Sequence, residues 1–220
     1  METPWSFSHL STFEHCARQY EWKYVLKMKE KEVSENIQWG NKVDTALAER
    51  AKGYPLPPAF QPYEYIGTWL DRVRETGAEI LPKHKFGIGR DLQPRTFFAK
   101  DVWFRGEFDL AIKGDKRVHL DDYKSGKKRD DQSQLKLYAG AAFVLWPQVD
   151  TVSTRFVWLA SRQTTPMIFR RSIQAVIWQE MMPRIRRMEL AREKEQFPPT
   201  PSGLCAWCPH ATCEFRKERP

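Results

Sequence analysis

A chain of 220 residues can bury a substantial core yet is short for two full domains, which favours one compact unit with appended elements. Its 36 Lys and Arg against 28 Asp and Glu leave a formal charge of +8, a balance suited to a polyanionic partner such as nucleic acid. The best apolar run, "YAGAAFVLW", is too short to span a bilayer and "METPWSFSHLSTFEHC" has no apolar signal region, so no membrane partner and a cytoplasmic location are expected.

Residues 8–28 read as a helix: Ser8 suits a cap, and Leu10, Phe13, Ala17, Tyr20 and Tyr24 recur at helical spacing with Cys16 beside them. A second helix runs from about Ile37 to Arg50 and stops before "GYPLPPAFQPY", whose prolines make a rigid connection. "EYIGTWLDRVRET", 64–76, is helical again, with Ile66, Leu70 and Val73 on one side. From Ala78 the period shortens: "AEILPKHKFGIG" and "RTFFAKDVWFRGEFDLAI" look like strands, and "KGDK" turns the chain into "RVHLDDYK". A helix from about Asp131 to Leu145 places Gln134 and Tyr138 one turn apart, with Leu135, Ala139 and Ala142 free to pack. Two strands, "TVSTRFVWLA" and "PMIFRRS", joined by the polar "SRQTT", and a long amphipathic helix from about Ile173 to Lys194 complete an α/β domain around a small mixed sheet. No internal repeat or low-complexity tract interrupts it.

Alternation along "RVHLDDYK" sends Val118, Leu120, Asp122 and Lys124 to one face and His119, Asp121 and Tyr123 to the other. A carboxylate at that strand end is tolerable if a divalent cation supplies positive charge and an acid from a neighbouring strand becomes a second ligand. Asp109 in "RGEFDLAI", across the hairpin, is the candidate. Asp109, Asp122 and Lys124 together carry the chemistry of phosphodiester hydrolysis: hard oxygens hold Mg2+ or Mn2+, the ion activates water, and the lysine orients it and offsets developing charge. Taken alone, D-x-K reads first as a surface ion pair at a strand end.

Cys205, Cys208 and Cys213 form C-x2-C-x4-C near the end of the sequence, a spacing that suits metal or cluster ligands better than disulfides in a cytosolic chain. Zinc held by these thiols with His210 would leave Cys16 an ordinary buried thiol, whereas an iron-sulfur cluster would recruit Cys16 from the other end. Lys127, Lys128 and Arg129 follow the acidic strand, placed either to meet phosphates or to solvate a loop. Trp39, Trp103 and Trp158 suit either base stacking or the core.

Four segments in order resemble the PD-(D/E)XK nuclease superfamily, in its RecB-like branch with the AddB nuclease domain and CRISPR-associated RecB-like exonucleases. "SFSHLSTFEHCARQYEWKYV" looks like that branch's first helix with its early cysteine, and "WGNKVDTAL" resembles its G-x-x-V-H motif. "GEFDLAI" with "LDDYKSG" is similar to the metal and lysine core, and "QLKLYAGA" to the Q-x-x-x-Y helix. "GLCAWCPHATC" looks like the cysteine cluster of iron-sulfur members. The resemblance implies a restriction-endonuclease-like core whose N-terminal helix is tied to a C-terminal cysteine knuckle at about 198–216, all within one nuclease domain. It implies Asp109 and Asp122 as ligands of Mg2+ or Mn2+, Lys124 as the catalytic lysine, and Gln134 and Tyr138 near DNA or supporting the site. It further implies Cys16, Cys205, Cys208 and Cys213 around a 4Fe-4S cluster, and a DNA nuclease, in particular an exonuclease on ends or single strands, with a helicase or recombination partner. Two positions depart from the pattern: Asp44 stands where the branch has a metal-binding histidine and Ala17 where a proline often follows the cysteine. Asp44 therefore reads as a third metal ligand, as a sign of weakened activity in a DNA-binding accessory module, or as a solvated helix residue.

Overall fold

The computed structural model describes residues 3–28, 34–126, 128 and 131–217. They gather into two compact units, one of the described residues in Met1–Pro4 and Ser34–Trp178 and one of the described residues in Trp5–Val33 and Gln179–Pro220.

The first unit is built on a six-stranded mixed sheet in the order β2-β1-β3-β4-β5-β6. Its strands are β1 (Glu79–Ile88), β2 (Pro94–Arg95), β3 (Phe104–Lys113), β4 (Arg117–Lys124), β5 (Thr151–Trp158) and β6 (Gln163–Arg170). The "KGDK" turn closes with Gly114 N–H donating to the Arg117 carbonyl at 2.9 Å, and β3 and β4 pair antiparallel. β4 and β5 are parallel, which requires a crossover, and helix α5 (Ser133–Leu145) supplies it. Apolar nearly all round, α5 is buried from Leu137 to Val144. Arg171 donates to the carbonyls of Phe143, Trp146 and Val149 at 3.1, 2.7 and 2.6 Å, satisfying acceptors at and beyond its C-terminal turn.

Helices α3 (Glu35–Ala51) and α4 (Glu64–Glu75) are linked by a 3-10 stretch, Pro58–Tyr63, where the prolines predicted a stiff connection. The buried Arg50 clamps them, its Nε 2.9 Å from Glu64 Oε1 and its Nη1 3.0 Å from Asp71 Oδ1. The guanidinium passes so close over Gly67 that a Cβ there would lie 2.3 Å from Arg50 Nε, which is why "EYIGTWL" has a glycine inside a helix.

The β1–β3 pair serves two apolar layers. His84, Phe86 and Phe108 stack with Tyr138 of α5 and with Trp146, whereas Ile80, Leu110 and Ile112 join Val43, Leu47 and Leu70 of α3 and α4. Strict alternation would keep these even-numbered residues on one face. The change comes at Lys83 and Asp109, the one pair missing from an otherwise continuous register, where Lys83 takes a left-handed φ of 53°. β3 is shorter than its sequence suggests: of "RTFFAKDVW" only Arg95 is in a strand, in β2, and Val102 and Trp103 are buried before β3 begins.

In the second unit, Ser6 rather than Ser8 starts α1 (Phe7–His15), with a capping box to His9. The single helix expected over 8–28 is broken. Cys16 is extended at φ −163° and ψ 113°, α2 (Ala17–Tyr20) restarts behind it, and a π turn follows at Glu21–Val25. Apolar spacing continues through the break, so periodicity could not reveal it. Arg184, in α6 (Gln174–Glu193), holds Glu14 of α1 bidentately at 2.7 and 2.6 Å. The N-terminal helices are tied to the C-terminal segment by Arg18 Nε to the Phe197 carbonyl at 3.3 Å and Thr200 N–H to Cys16 Sγ at 3.4 Å. The fold is the α/β class expected, a mixed sheet flanked by helices. Among the described residues no helix is long and apolar enough to cross a membrane.

Candidate active site

The site grows from the C-terminal end of β4. Asp122 and Lys124 share the face that alternation assigned them, and their side chains form an ion pair. Gln134, in the first turn of α5, reaches both: its Nε2 donates to Asp122 Oδ1 at 2.6 Å and its Oε1 accepts from Lys124 Nζ at 3.0 Å. Tyr138, one turn on, is buried and hydrogen-bonds Gln134. The spacing of Gln134 and Tyr138 thus sets a lysine, an aspartate and a phenol on one amide.

Asp109 enters from β3. The β3–β4 ladder stops at Leu110 opposite Asp121, and at the next position Asp109 Oδ2 accepts the Tyr123 N–H at 2.9 Å where a backbone carbonyl would otherwise stand. A side chain has replaced a rung, so Asp109 turns into the cleft beside Asp122. Asp44 reaches the same cleft from α3, and the three carboxylates, Lys124, Gln134 and Tyr138 line one cavity of about 460 Å3.

Sequence reasoning missed two members, Lys83 and Glu107. Lys83 Nζ pairs with Asp44 Oδ2, with Asp109 Oδ1 at 3.0 Å and with Glu107 Oε1 at 3.4 Å, so an ammonium from β1 already bridges three acids from α3 and β3. Glu107 had a signal, since it stands two residues before Asp109 in the same strand. Lys83 had none, because in "LPKHKF" it reads as a solvated strand lysine.

The electrostatics fit a missing positive charge. Burial, with repulsion from Asp109 and Asp44, lifts the Asp122 carboxyl to about 7 against the pull of Lys124. Burial, with repulsion from Asp109 and Glu107, lifts Asp44 to about 6 against Lys83. Asp44 Oδ1 is buried without a hydrogen bond, whereas both oxygens of Asp122 are engaged, Oδ2 by Lys124 and Oδ1 by Gln134. An orphaned, hard, anionic oxygen facing two further carboxylates offers the kind of donors that Mg2+ or Mn2+ takes. Among the described residues no three His, Cys, Asp or Glu side chains stand as a ready-made metal cage, and Lys83 occupies the centre of the acids instead.

On the opposite face of β4, Asp121 is matched by the protein itself. Arg155 holds it with Nε at 2.6 Å and Nη2 at 2.9 Å, and His119 Nε2 lies 2.7 Å away. Although burial opposes it, His119 and Arg155 keep this carboxyl below the usual range. Trp103 and Trp158 are buried in the core, and Trp39 is half-exposed against Phe60. Lys128 is exposed, while Lys127 and Arg129 lie outside the described residues.

The four cysteines are all in the second unit and all unpaired as disulfides. Cys205 Sγ accepts the Ser202 N–H at 3.3 Å, and burial raises the Cys208 thiol, as does repulsion from Cys16, Cys213 and Cys205. His210 stacks on Trp22 with ring centroids 5.7 Å apart.

Comparison with known proteins gives the arrangement its context. Residues 4–213 match the family model of the PD-(D/E)XK nuclease superfamily. No curated protein matches the sequence. Among solved structures, the fold resembles that of SSO0001, at 11% identity and a TM-score of 0.50 over 99% of this chain and 89% of the other. It also resembles a protein of Eubacterium rectale described as a "Putative exonuclease", at 11% identity and a TM-score of 0.60 over 99% of this chain and 90% of the other. With nearly its whole length matched, the chain belongs to the PD-(D/E)XK nuclease superfamily, a group of hydrolases that act on nucleic acid and generally use Mg2+ or a similar divalent ion.

Proposed function

We propose that the protein is a Mg2+- or Mn2+-dependent deoxyribonuclease of the RecB-like branch, acting as an exonuclease on DNA ends or single strands. The observation that carries this is a buried carboxylate oxygen of Asp44 left without a hydrogen bond in a cleft shared with Asp109, Asp122 and Lys124. Asp109 and Asp122 would hold the ion and Asp44 would be a third ligand. Bound there, the ion would polarise a phosphate oxygen and lower the pKa of a water molecule. Lys124, held by Gln134 and stacked 5.0 Å over the Phe156 ring, orients the attacking water and offsets charge on the phosphate. Gln134 fixes the distance between Lys124 and Asp122, and Tyr138 fixes Gln134, so both position the site rather than react. Exonuclease action draws support from the description of the Eubacterium rectale neighbour, at the level of shared fold. A cytoplasmic location, and a helicase or recombination partner as in the RecB-like branch, belong to the same reading.

Cys16, Cys205, Cys208 and Cys213 would hold a 4Fe-4S cluster, a reading supported by their place in one unit and by the Thr200 N–H that donates to Cys16 Sγ at 3.4 Å from the segment leading to the other three. Zinc on the C-terminal thiols with His210 is the competing assignment. Brown colour and iron in anaerobically purified protein select the cluster, and zinc without iron selects the alternative.

The Asp44–Lys83 ion pair favours a second reading, a DNA-binding accessory module of weakened activity, because one metal-facing acid already has its counter-charge. Degradation of labelled DNA with Mg2+ or Mn2+, run beside Lys124→Ala and Asp122→Ala, separates the two. The first reading expects metal-dependent cleavage lost in both variants, and cleavage that survives both substitutions overturns the site. Binding without cleavage, restored by Asp44→His, selects the second.

A further inference from the structure

Beyond Lys83, the outer half of the β1–β3 ladder carries another group of side chains. Lys85 pairs with Glu107 and Gly87 with Arg105, so Lys85, Glu107 and Arg105 share a face. The Lys83–Glu107 ion pair of 3.4 Å joins that face to the acidic cavity. Phe97, on the loop after β2, lies against both cations: Lys85 Nζ is 5.5 Å and Arg105 Cζ 5.3 Å from its ring centroid. Phe98 stands next to it, ring centroids 4.9 Å apart and planes at 82°, and is 81% exposed.

An exposed phenylalanine is unremarkable on a loose loop, but this loop is fixed. Gly89 N–H donates to the Gln93 carbonyl at 2.9 Å, Ala99 N–H to Thr96 at 3.1 Å and Trp103 N–H to Ile88 at 2.9 Å. Arg95 holds both of the loop's aspartates, Asp91 at 2.8 Å and Asp101 at 2.5 Å, so their charge is countered within the loop. The result is an aromatic edge flanked by cations, and Glu107, the acid on the same strand face, is engaged by Lys83.

We propose that Phe97, Phe98, Lys85 and Arg105 form a binding track for single-stranded nucleic acid leading to the acidic cavity, with a base stacked on Phe98 and phosphates met by Lys85 and Arg105. The direction of the track rests on the reading of that cavity as the hydrolytic site. Stacking needs an unpaired base and tolerates any sequence, because every base has a π face. Phe97 itself is engaged by the two cations and sets their positions. At about 3.3 Å per strand residue, Arg105 lies about 13 Å from Asp109 along β3, a reach of a few nucleotides. A duplex keeps its bases stacked inside and would touch only the cations.

The test is fluorescence anisotropy with a labelled oligo(dT) and a labelled hairpin duplex, in EDTA, on the full chain. Phe98→Ala should weaken oligo(dT) binding about five- to a hundredfold and leave duplex binding within a factor of two or so. Lys85→Ala with Arg105→Ala should lower the salt slope for oligo(dT) by about 1.4, the share of two phosphates. Unchanged oligo(dT) affinity in Phe98→Ala, or an equal loss on the duplex, overturns the proposal. An unchanged salt slope in the double variant with an oligo(dT) affinity equal to wild type overturns it as well. In parallel the wild-type chain is assayed with Mn2+ on bis-p-nitrophenyl phosphate, a diester with no base to stack. No hydrolysis there, with the Phe98 effect intact, rejects the hydrolytic reading and keeps the binding track. Hydrolysis with normal Phe98→Ala binding does the reverse.

Discussion

Lys83→Met tests whether an internal ammonium stands in for a divalent ion. Methionine keeps most of the aliphatic stem and, like lysine, is an L side chain at the same left-handed φ, so backbone strain cancels in the comparison. What is lost is the charge shared by Asp44, Asp109 and Glu107. The Lys83 side chain is 27% exposed and those carboxylates 29%, 21% and 33%, between the surface regime, worth about 0–1 kcal/mol, and the fully buried one, where removing a partner costs about 3–5 kcal/mol. A loss of about 2 kcal/mol is expected in EDTA at neutral pH, which for a chain of this size lowers Tm by about 4–8 °C. Added Mn2+ should then act in the opposite sense. In the wild type the ion must displace an ammonium, whereas in the variant it meets free oxygens, so a site tightened tenfold gains about 1.4 kcal/mol more stabilisation at saturating ion. Thermal melts by circular dichroism, with EDTA and with Mn2+, read both effects. A variant that melts with the wild type in EDTA, or one that Mn2+ stabilises no more than the wild type, refutes the reasoning.

Two further substitutions probe the rest of the chain. Arg155→Met leaves the fully buried Asp121 with His119 alone and should cost about 3–5 kcal/mol in urea unfolding at neutral pH. Because the wild-type carboxyl sits below its ordinary value of 3.8, its contribution is fully present above that pH and lost as pH falls through the lower folded value, so the deficit of Arg155→Met should shrink as pH is taken below 3.8; a deficit independent of pH down through that range contradicts the assignment. Replacing Cys16, Cys205, Cys208 and Cys213 together by serine should unfold or aggregate the protein if a bound cofactor ties the second unit together, and unchanged melting of the quadruple variant defeats that idea.

Much of the first unit could be read without coordinates because its elements depend on local chemistry. "RVHLDDYK" is β4 residue for residue, the "KGDK" hairpin closes where the turn residues demand, and Gln134 and Tyr138 fall one helical turn apart as the period requires. Lys83 was hidden because its role comes from a backbone conformation unusual for lysine, which no side-chain pattern announces. The Cys16 break was hidden for a related reason: Phe13, Ala17 and Tyr20 keep helical spacing across an extended residue. Tertiary packing also shortened β3, where Val102 and Trp103 are buried ahead of the strand and read as part of it.

The two neighbouring aspartates of β4 explain why a basic chain buries acids at all. Asp121 and Asp122 are both nearly sealed from solvent, at 2% and 4% exposure, yet their carboxyls move in opposite directions. Asp121 faces a guanidinium fixed on the adjacent parallel strand, a permanent counter-charge that makes it part of the scaffold. Asp122 faces Asp109 and Asp44 across a cavity and shares its lysine with Gln134, so its charge is only partly answered. One strand thus divides the two carboxylates by alternation alone: a residue turned one way is neutralised by the fold, and the next, turned the other way, is answered only in part by Lys124, which under the proposed function leaves room for a metal ion. A fold that merely tolerated acids would have matched both in the same manner.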